Sequence, residues 1–351
     1  MLDYKTFRSL LFKSNPESVH NFLESLCKIA PKIPYLLPFL AQKSCVEDAS
    51  LMQKIDGMDF YNPIGLAAGF DKNATMIETL CSLGFSFLEV GAVTPMPQQG
   101  NPKPRLWRHI TEESLQNVMG FNNDGVQSIA SRIGGMYPFC VPLGINIGKN
   151  KATPQEKAIE DYCALARSFQ ITSDYLSINV SSPNTPDLRD LQNKDFLKEL
   201  FLALREIYSK PLYLKISPDL EIDSILELIE VALSSGANGI IATNTTTDYS
   251  LVKTPQNLGG LSGKVLSQKS REILKEIGKV YAKKTTIISV GGIFDAKEAY
   301  ERIALGANLI QVYSGLIFEG PLLVWKINQG LKELLNNDGL DNISQLVGAN
   351  L

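Results

Sequence analysis

The chain has 351 residues, of which 44% are hydrophobic and 20% charged, a composition typical of a globular protein with a sizeable core. The net charge of −3, without a basic tract or zinc-finger spacing, argues against a nucleic-acid partner. Because there are two histidines and five scattered cysteines without a CxxC pair, we expect no metal site and no disulfide framework. The cysteines are interpreted as reduced thiols of a cytosolic protein.

The first 45 residues are predicted to form helices with apolar faces. Tyr4, Phe7 and Leu11 share one face, and further apolar faces follow at 19–30 and 35–41. Six basic and three acidic residues make this segment positive. Basic amphipathic helices are typical of a membrane surface, but the same faces could pack as a cap on the rest of the chain. Both interpretations stay open, and we expect neither a secretory signal nor a membrane-spanning run.

From about residue 60 the chain alternates β-rich runs with helical patterns, such as one at 223–235 that begins at an Asp223 N-cap and ends before Gly236. A weak repeat of helix end, glycine and strand supports βα units. We predict an α/β fold, a (β/α)8 TIM barrel over 46–351 with an N-terminal helical extension over 1–45. An open doubly wound sheet is the alternative. The predicted strands lie at 63–68, 87–93, 142–147, 175–181, 212–217, 239–244, 286–292 and 309–314.

The carboxyl ends of these strands carry mostly amides and lysines, where a barrel places its functional groups. Lys215, inside the run LYLKIS, requires an anionic partner in a barrel interior. The glycine-rich runs SVGGIF and YSGLIF lie where barrels commonly bind phosphate. Together they indicate a cofactor with a phosphate tail and a ring that becomes negative, as in flavin mononucleotide (FMN). The run SSPNTP after the fourth strand could by itself be only a turn.

Eight motifs in succession resemble those of dihydroorotate dehydrogenases over residues 45 to 330: LAAGFDKN, NVMGFNNDG, GINIGKN, INVSSPNTPDLR, LKISPD, ATNTT, GGLSG and SVGGI. Ser182 and the N-terminal extension are similar to the quinone-dependent class, whereas the soluble class carries a cysteine base and lacks the extension. The resemblance implies an FMN-dependent oxidoreductase that oxidises (S)-dihydroorotate to orotate in de novo pyrimidine (UMP) biosynthesis. It implies a membrane quinone as electron acceptor and a peripheral location on the cytoplasmic face of the cell membrane.

The resemblance also implies which residues bind the substrate and the cofactor. The positions that match substrate contacts are Lys72, Asn117, Val118, Met119, Gly120, Phe121, Asn179, Asn184, Asn244 and Thr245. The positions that match FMN contacts are Ala68, Gly69, Phe70, Asp71, Lys72, Ala92, Asn146, Asn179, Lys215, Thr243, Gly263, Gly292, Tyr313 and Ser314. Ala92, in GAVTP, stands where the family motif usually reads GTVTP, so an FMN contact there would come from the backbone or from water.

Ser182 matches the base that removes the C5 proton of the substrate while a hydride leaves C6. A free serine is a weak base. Thr185 and Phe121 suggest a shielded route for the proton, and the loop would be stiffened by Pro183 and Pro186. For the quinone, the matching positions are His20 and Arg108.

The long segment 246–262 is predicted to be a lid that closes over orotate. Two alternative functions stay open. One is a soluble relative that passes electrons to fumarate or NAD, and the other is a non-redox barrel that binds a phosphorylated metabolite.

Overall fold

The computed structural model describes residues 4–185 and 188–351; Pro186, predicted to stiffen the loop after Ser182, lies outside these residues. In chain order the strands are β1 (Gln53–Ile55), β2 (Met58–Phe60), β3 (Ile64–Leu66), β4 (Phe87–Val93), β5 (Leu106–His109), β6 (Ser114–Asn117), β7 (Leu143–Ile147), β8 (Tyr175–Asn179), β9 (Leu212–Lys215), β10 (Gly239–Ala242), β11 (Gly260–Gly263), β12 (Thr286–Val290) and β13 (Leu309–Val312).

The α-helices alternate with most of these strands. They are α1 (Tyr4–Leu11), α2 (Pro16–Ile29), α3 (Leu36–Ser44), α4 (Ile77–Cys81), α5 (Gly125–Gly134), α6 (Ala158–Phe169), α7 (Lys194–Ile207), α8 (Ile222–Ser234), α9 (Ser267–Tyr281), α10 (Ala296–Ala304), α11 (Ser314–Glu319), α12 (Leu323–Asn337) and α13 (Ile343–Leu346).

Within the described residues, eight parallel strands close into a barrel in the order β3-β4-β7-β8-β9-β10-β12-β13. Each of them lies inside a predicted run, so the (β/α)8 barrel is confirmed and the open sheet is excluded. Their residues are almost all fully buried because helices cover the outer face and side chains fill the interior.

The ends of α8 show how closely local signals predict a boundary. Gly236 follows the helix with a φ of +115°, as predicted for the residue after the helix end. The predicted N-cap was wrong, because the N-cap is Glu221 and Asp223 lies in the first turn. An acidic side chain in that turn still interacts favourably with the helix dipole.

Large aromatic rings fill the amino-terminal part of the barrel. The rings of Tyr175 and Tyr213 lie 5.1 Å apart, and those of Phe60 and Phe87 lie 5.5 Å apart. Phe60 belongs to the antiparallel hairpin β1–β2, whose turn residue Asp56 accepts a hydrogen bond from Tyr213 Oη at 2.6 Å. Side chains therefore fill the amino-terminal end of the barrel, whereas its carboxyl-terminal end is open.

A small antiparallel sheet, β5-β6-β11, stands over the open end of the barrel. Its strand β11 includes the last residues of the predicted lid, and Thr246, the first lid residue, bridges to Leu261. Both ends of the predicted lid are therefore tied to this sheet. Closure over a ligand stays a prediction.

The N-terminal extension consists of α1, α2 and α3, as predicted. Asn15 caps α2 by accepting hydrogen bonds from the backbone N–H groups of Glu17 and Ser18. Polar contacts hold these helices to the barrel: Arg105 pairs with Glu17 at 2.8 Å, and Tyr4 donates to the carbonyl of Ile317 at 2.8 Å.

The outer faces of these helices stay largely uncovered. Neither α1 nor α2 contains a fully buried residue. The exposed apolar side chains of the extension are Phe7, Leu10, Phe22, Leu26, Ile29, Ile33, Tyr35 and Phe39. The extension is therefore docked on one side and apolar on the other, and the division between 1–45 and 46–351 stays a prediction. In the part of the chain that the structure describes, no helix is both long and apolar enough to cross a bilayer.

Two glycines give a test of the barrel packing. In Gly144→Ala, the new Cβ would lie 2.0 Å from the Tyr175 ring, so we expect the free energy of unfolding to fall by roughly 1–3 kcal/mol. In the control Gly134→Ala, within α5, the nearest atom lies at 3.9 Å, and we expect a change of at most about 1 kcal/mol, towards higher stability. Urea unfolding measures both, and equal stabilities would contradict this packing.

Candidate active site

A cavity of about 1540 Å³, including the open space at its mouth, lies over the carboxyl ends of the barrel strands. Helix α2 and the sheet β5-β6-β11 form its outer walls. The predicted residues that line it are His20, Ala68, Gly69, Phe70, Asp71, Lys72, Ala92, Asn117, Met119, Gly120, Phe121, Asn146, Asn179, Ser182, Asn184, Lys215, Thr243, Asn244, Thr245, Gly263, Gly292, Tyr313 and Ser314.

Two predicted residues do not line this cavity. The backbone N–H of Val118 already has a partner within the protein, because it donates to the carbonyl of Arg105 at 2.9 Å. The guanidinium of Arg108 lies over the Phe12 ring at 4.6 Å and donates to the carbonyl of Ser14 at 2.7 Å. Arg108 therefore holds the turn between α1 and α2, and its contact with a quinone stays a prediction.

Three amides from different strand ends form a chain across the floor of the cavity. Asn244 donates to Asn179 Oδ1 at 3.3 Å, and Asn179 donates to Asn146 Oδ1 at 3.0 Å. Asn146 in turn donates to Ser177 Oγ at 2.9 Å. Because each amide uses part of its donor and acceptor capacity on its neighbour, the direction of every amide is set by the chain.

A second amide pair stands nearer the mouth. Asn184 donates to Asn117 Oδ1 at 2.7 Å. Among the described residues, four oxygens of cavity-lining side chains are buried without a hydrogen-bond partner: Asn122 Oδ1, Asn184 Oδ1, Thr245 Oγ1 and Gln311 Oε1. Buried polar atoms are normally paired, so these oxygens indicate a polar ligand.

Ser182 is buried in the loop that follows β8. Its hydroxyl accepts the backbone N–H of Asn184 at 3.2 Å, and no histidine or carboxylate hydrogen-bonds it in the described part of the chain. The neighbouring Thr185 Oγ1 is buried without a partner, which is consistent with a polar route beside the serine. Phe121 also lines the cavity, with a φ of +52°.

Sequence reasoning did not identify Glu89 as the anionic partner of Lys215. Glu89 Oε1 lies 3.4 Å from Lys215 Nζ, and both side chains are buried. The carboxylate also accepts from Asn146 at 2.9 Å and from Gln311 at 2.7 Å. The sequence did offer a signal, because Glu89 is a charged residue within the buried run FLEVGAV. Like Lys215, such a residue requires a partner in a barrel interior.

Lys72 and His20 stand close together where α2 meets the cavity. Burial lowers the pKa of His20 to about 4, and the charge of Lys72 acts in the same direction. The His20 ring packs edge-to-face against Phe70 at 5.3 Å. Burial, followed by the charge of Arg105, lowers the pKa of Lys72 to about 8. At neutral pH this wall therefore presents a protonated lysine beside a neutral imidazole.

Two glycines at the far end of the cavity have conformations that exclude a side chain. Gly263 has a φ of +100°, and a Cβ there would lie 2.7 Å from the carbonyl oxygen of Glu113. Gly292 has a φ of +77°, and a Cβ there would lie 2.6 Å from Ser267 Cα. Ser314 lies nearby, with its hydroxyl 3.0 Å from that of Ser262. Backbone and hydroxyl groups therefore dominate this end.

Asp71 lines the cavity, but its carboxylate is engaged in hydrogen bonds that shape the local backbone. Its carboxylate accepts the backbone N–H groups of Asn73, Thr75 and Met76, at 3.3, 3.0 and 2.8 Å. These bonds shape the turn that carries Lys72. Burial nevertheless raises the pKa of the Asp71 carboxyl, because it is the largest influence on this group.

The sequence and the fold were compared with known proteins. The family model for dihydroorotate dehydrogenase matches residues 50–335. Dihydroorotate dehydrogenase (quinone) of Sulfurimonas denitrificans is 52% identical over 351 residues, which cover 99% of each chain. The protein of the same description from Nitratiruptor sp. is 50% identical over 350 residues, which cover 100% of each.

The fold agrees with the sequence comparison. A crystal structure of DHODH from Eimeria tenella in complex with ferulenol superposes with a TM-score of 0.87 at 32% identity and covers 100% of this chain and 99% of that one. This chain therefore belongs to the dihydroorotate dehydrogenase family of oxidoreductases.

Proposed function

We propose that this protein oxidises (S)-dihydroorotate to orotate in pyrimidine biosynthesis and passes the electrons through bound FMN to a membrane quinone. The observation that carries the proposal is the amide-lined cavity with its unpartnered oxygens and two lysines. A flat, anionic pyrimidine with alternating N–H and C=O groups is complementary to such a lining. Quinone use is supported by the descriptions of the relatives and by the N-terminal extension.

The substrate is proposed to lie against the two amide groups. Asn117 and Asn184, with Asn179 and Asn244, offer donors and acceptors to the imide edge of the ring. Lys72 offers a positive charge to the carboxylate, and Met119, Gly120 and Phe121 form the adjoining wall. Neutral amides recognise the ring by its hydrogen-bonding pattern, and one lysine recognises its charge.

Ser182 is proposed to take the C5 proton. Its buried hydroxyl is held by the N–H of Asn184, so it presents an oxygen lone pair without a charged partner. As Ser182 accepts this proton, its own hydroxyl proton would leave past Thr185, whose hydroxyl lacks a hydrogen-bond partner within the described residues. Because Ser182 and Thr185 are both buried, this route would shield the proton from bulk solvent.

FMN fits the remaining part of the cavity. The unpartnered Gln311 Oε1 and the floor amides suit the polar edge of a flavin ring, and the glycine-rich end suits its phosphate. Asn146, Asn179, Lys215 and Thr243 would hold the ring. When bound, FMN accepts a hydride from the substrate and transfers the electrons onward. The other proposed contacts are Ala68, Gly69, Phe70, Asp71, Lys72, Ala92, Gly263, Gly292, Tyr313 and Ser314.

The quinone is proposed to enter beside α2, from a membrane in contact with the N-terminal helices on the cytoplasmic face. His20 lies on this wall, and its neutral ring next to Phe70 suits an uncharged lipid-soluble acceptor. The exposed apolar face and the positive charge of the extension support peripheral binding to an anionic surface.

The purified protein tests the central proposal. We expect a yellow protein whose visible absorbance bleaches when dihydroorotate is added anaerobically and returns when a water-soluble quinone analogue follows. Fumarate and NAD should not restore it. A colourless protein would support the non-redox barrel, and reoxidation by fumarate or NAD would support the soluble relative.

Ser182→Ala tests the base. Stopped-flow absorbance should show that reduction by dihydroorotate falls by about 10²–10⁴-fold, as is typical when a general base is lost. The control is Ser173→Ala, which removes another buried hydroxyl, one bonded to Tyr208 and Phe169, and should reduce normally. A near-normal rate in Ser182→Ala would assign the base to another group.

A surface variant tests the membrane proposal. Leu10→Glu combined with Phe22→Glu places acidic groups on the exposed face of α1 and α2. We expect turnover with quinone dissolved in anionic vesicles to fall at least about tenfold because apolar area and charge attraction are lost together. Turnover with a soluble analogue should stay normal. The control Ile171→Glu changes an exposed apolar residue after α6 and should retain both activities. Full vesicle turnover in the double variant would contradict membrane contact through this face.

A further inference from the structure

Asp219, which does not line the cavity, stands at the centre of a polar cluster behind it. It follows β9 in the motif LKISPD, and its side chain is mostly buried. Its Oδ2 accepts from Arg189 Nη1 at 2.9 Å and from the backbone N–H of Thr247 at 2.8 Å. Its Oδ1 accepts from Lys269 Nζ at 2.8 Å and from the hydroxyl of Thr246. One carboxylate thus joins three segments of the chain.

Arg189 carries this connection to the cavity. Its Nε donates to the carbonyl of Ser181 at 3.1 Å, and its Nη2 donates to the carbonyl of Thr245 at 3.1 Å. Ser181 directly precedes the proposed base Ser182, and Thr245 directly follows Asn244 in the proposed substrate site. A planar guanidinium that binds three acceptors in fixed directions determines the spacing between these two strand ends.

The charges of the cluster strengthen its hydrogen bonds. Asp219 accepts from two cations, from the hydroxyls of Thr246 and Thr247 and from the backbone N–H of Thr247, and these contacts hold the pKa of its carboxyl well below the usual value although burial opposes them. It therefore stays ionised at neutral pH. Charge-assisted hydrogen bonds of this kind are stronger than neutral ones, and removing one partner leaves the others without compensation.

We propose that Asp219, acting through Arg189, is a positioning residue that sets Ser182 relative to the substrate held by Asn244 and Thr245. This inference rests on the proposed function. Proton removal requires the acceptor oxygen close to C5 and aligned with it, and a displacement of about 1 Å can cost about 100-fold in rate. Asp219 also anchors Thr246 and Thr247, the first residues of the predicted lid, so base and lid share one support.

Asp219→Asn in the FMN-loaded, full-length protein provides the test. The amide keeps the shape but loses the charge that holds Arg189 and Lys269. We expect reduction by dihydroorotate to slow about 10–100-fold, while reoxidation by a soluble quinone analogue keeps its normal rate. The control is Asp223→Asn, which removes an exposed carboxylate from the first turn of α8 and should change neither rate.

A double-variant cycle separates positioning from a general loss of structure. In a Ser182→Ala background the base is already absent, so Asp219→Asn should slow reduction by less than about threefold further. If the two effects multiply, or if Asp219→Asn alone reduces normally, the inference is overturned. Should Asp219→Asn yield no yellow soluble protein, Arg189→Lys is judged by the same criteria, because a lysine cannot hold Asp219 and both carbonyls together.

The wild-type protein distinguishes this failure from that of the proposed function. If dihydroorotate does not bleach the wild-type protein, the proposed function fails and this inference falls with it. If the wild type is bleached and the variants behave like it, only the role of Asp219 is overturned.

Discussion

The arrangement of the site depends on one buried ion pair inside the barrel, between Glu89 and Lys215. An isolated charge in such an interior is costly, and removal of one partner leaves the other uncompensated. The pair is embedded in further contacts, since the Glu89 carboxylate also accepts from Asn146 and Gln311. Asn146 then orients Asn179, which orients Asn244. The direction of the amides on the cavity floor therefore follows from a charge placed beneath them.

Two kinds of support hold the cavity from different sides. From below, the Glu89 network fixes the floor through side chains that alternate into the barrel interior. From behind, the Asp219 cluster fixes the loops after β8 and β10 through their backbone carbonyls. Barrels commonly build the floor of a site on strands and its walls on loops, because strands are rigid and loops can differ in sequence. The proposed base and the proposed substrate amides lie where these two supports meet.

Sequence patterns predicted the secondary-structure elements better than they predicted the contacts between side chains. The eight barrel strands were found because buried parallel strands give short, nearly continuous apolar runs between helical patterns. The N-cap at Asp223 was wrong because several residues near a helix start can take that place and the choice depends on the loop before it. Lys215 was recognised as a buried charge in need of an anion, but Glu89 was not paired with it. The residues at the strand ends could be identified from the sequence. The hydrogen bonds among Asn146, Asn179 and Asn244, however, depend on strand register.

By itself the sequence determined the barrel, its helical extension and its family, because these depend on periodicity and on motifs that are local in the chain. Only the tertiary structure decided that Glu89 faces Lys215, that Arg108 turns towards the α1–α2 junction and that Asp219 joins the loops after β8 and β10. Each of these contacts links residues far apart in sequence, and the partner of a charged side chain is decided by which groups the closed barrel brings within a few ångströms. The physical reason is that electrostatic and hydrogen-bonding preferences state what a residue requires, while only packing decides which neighbour meets the requirement.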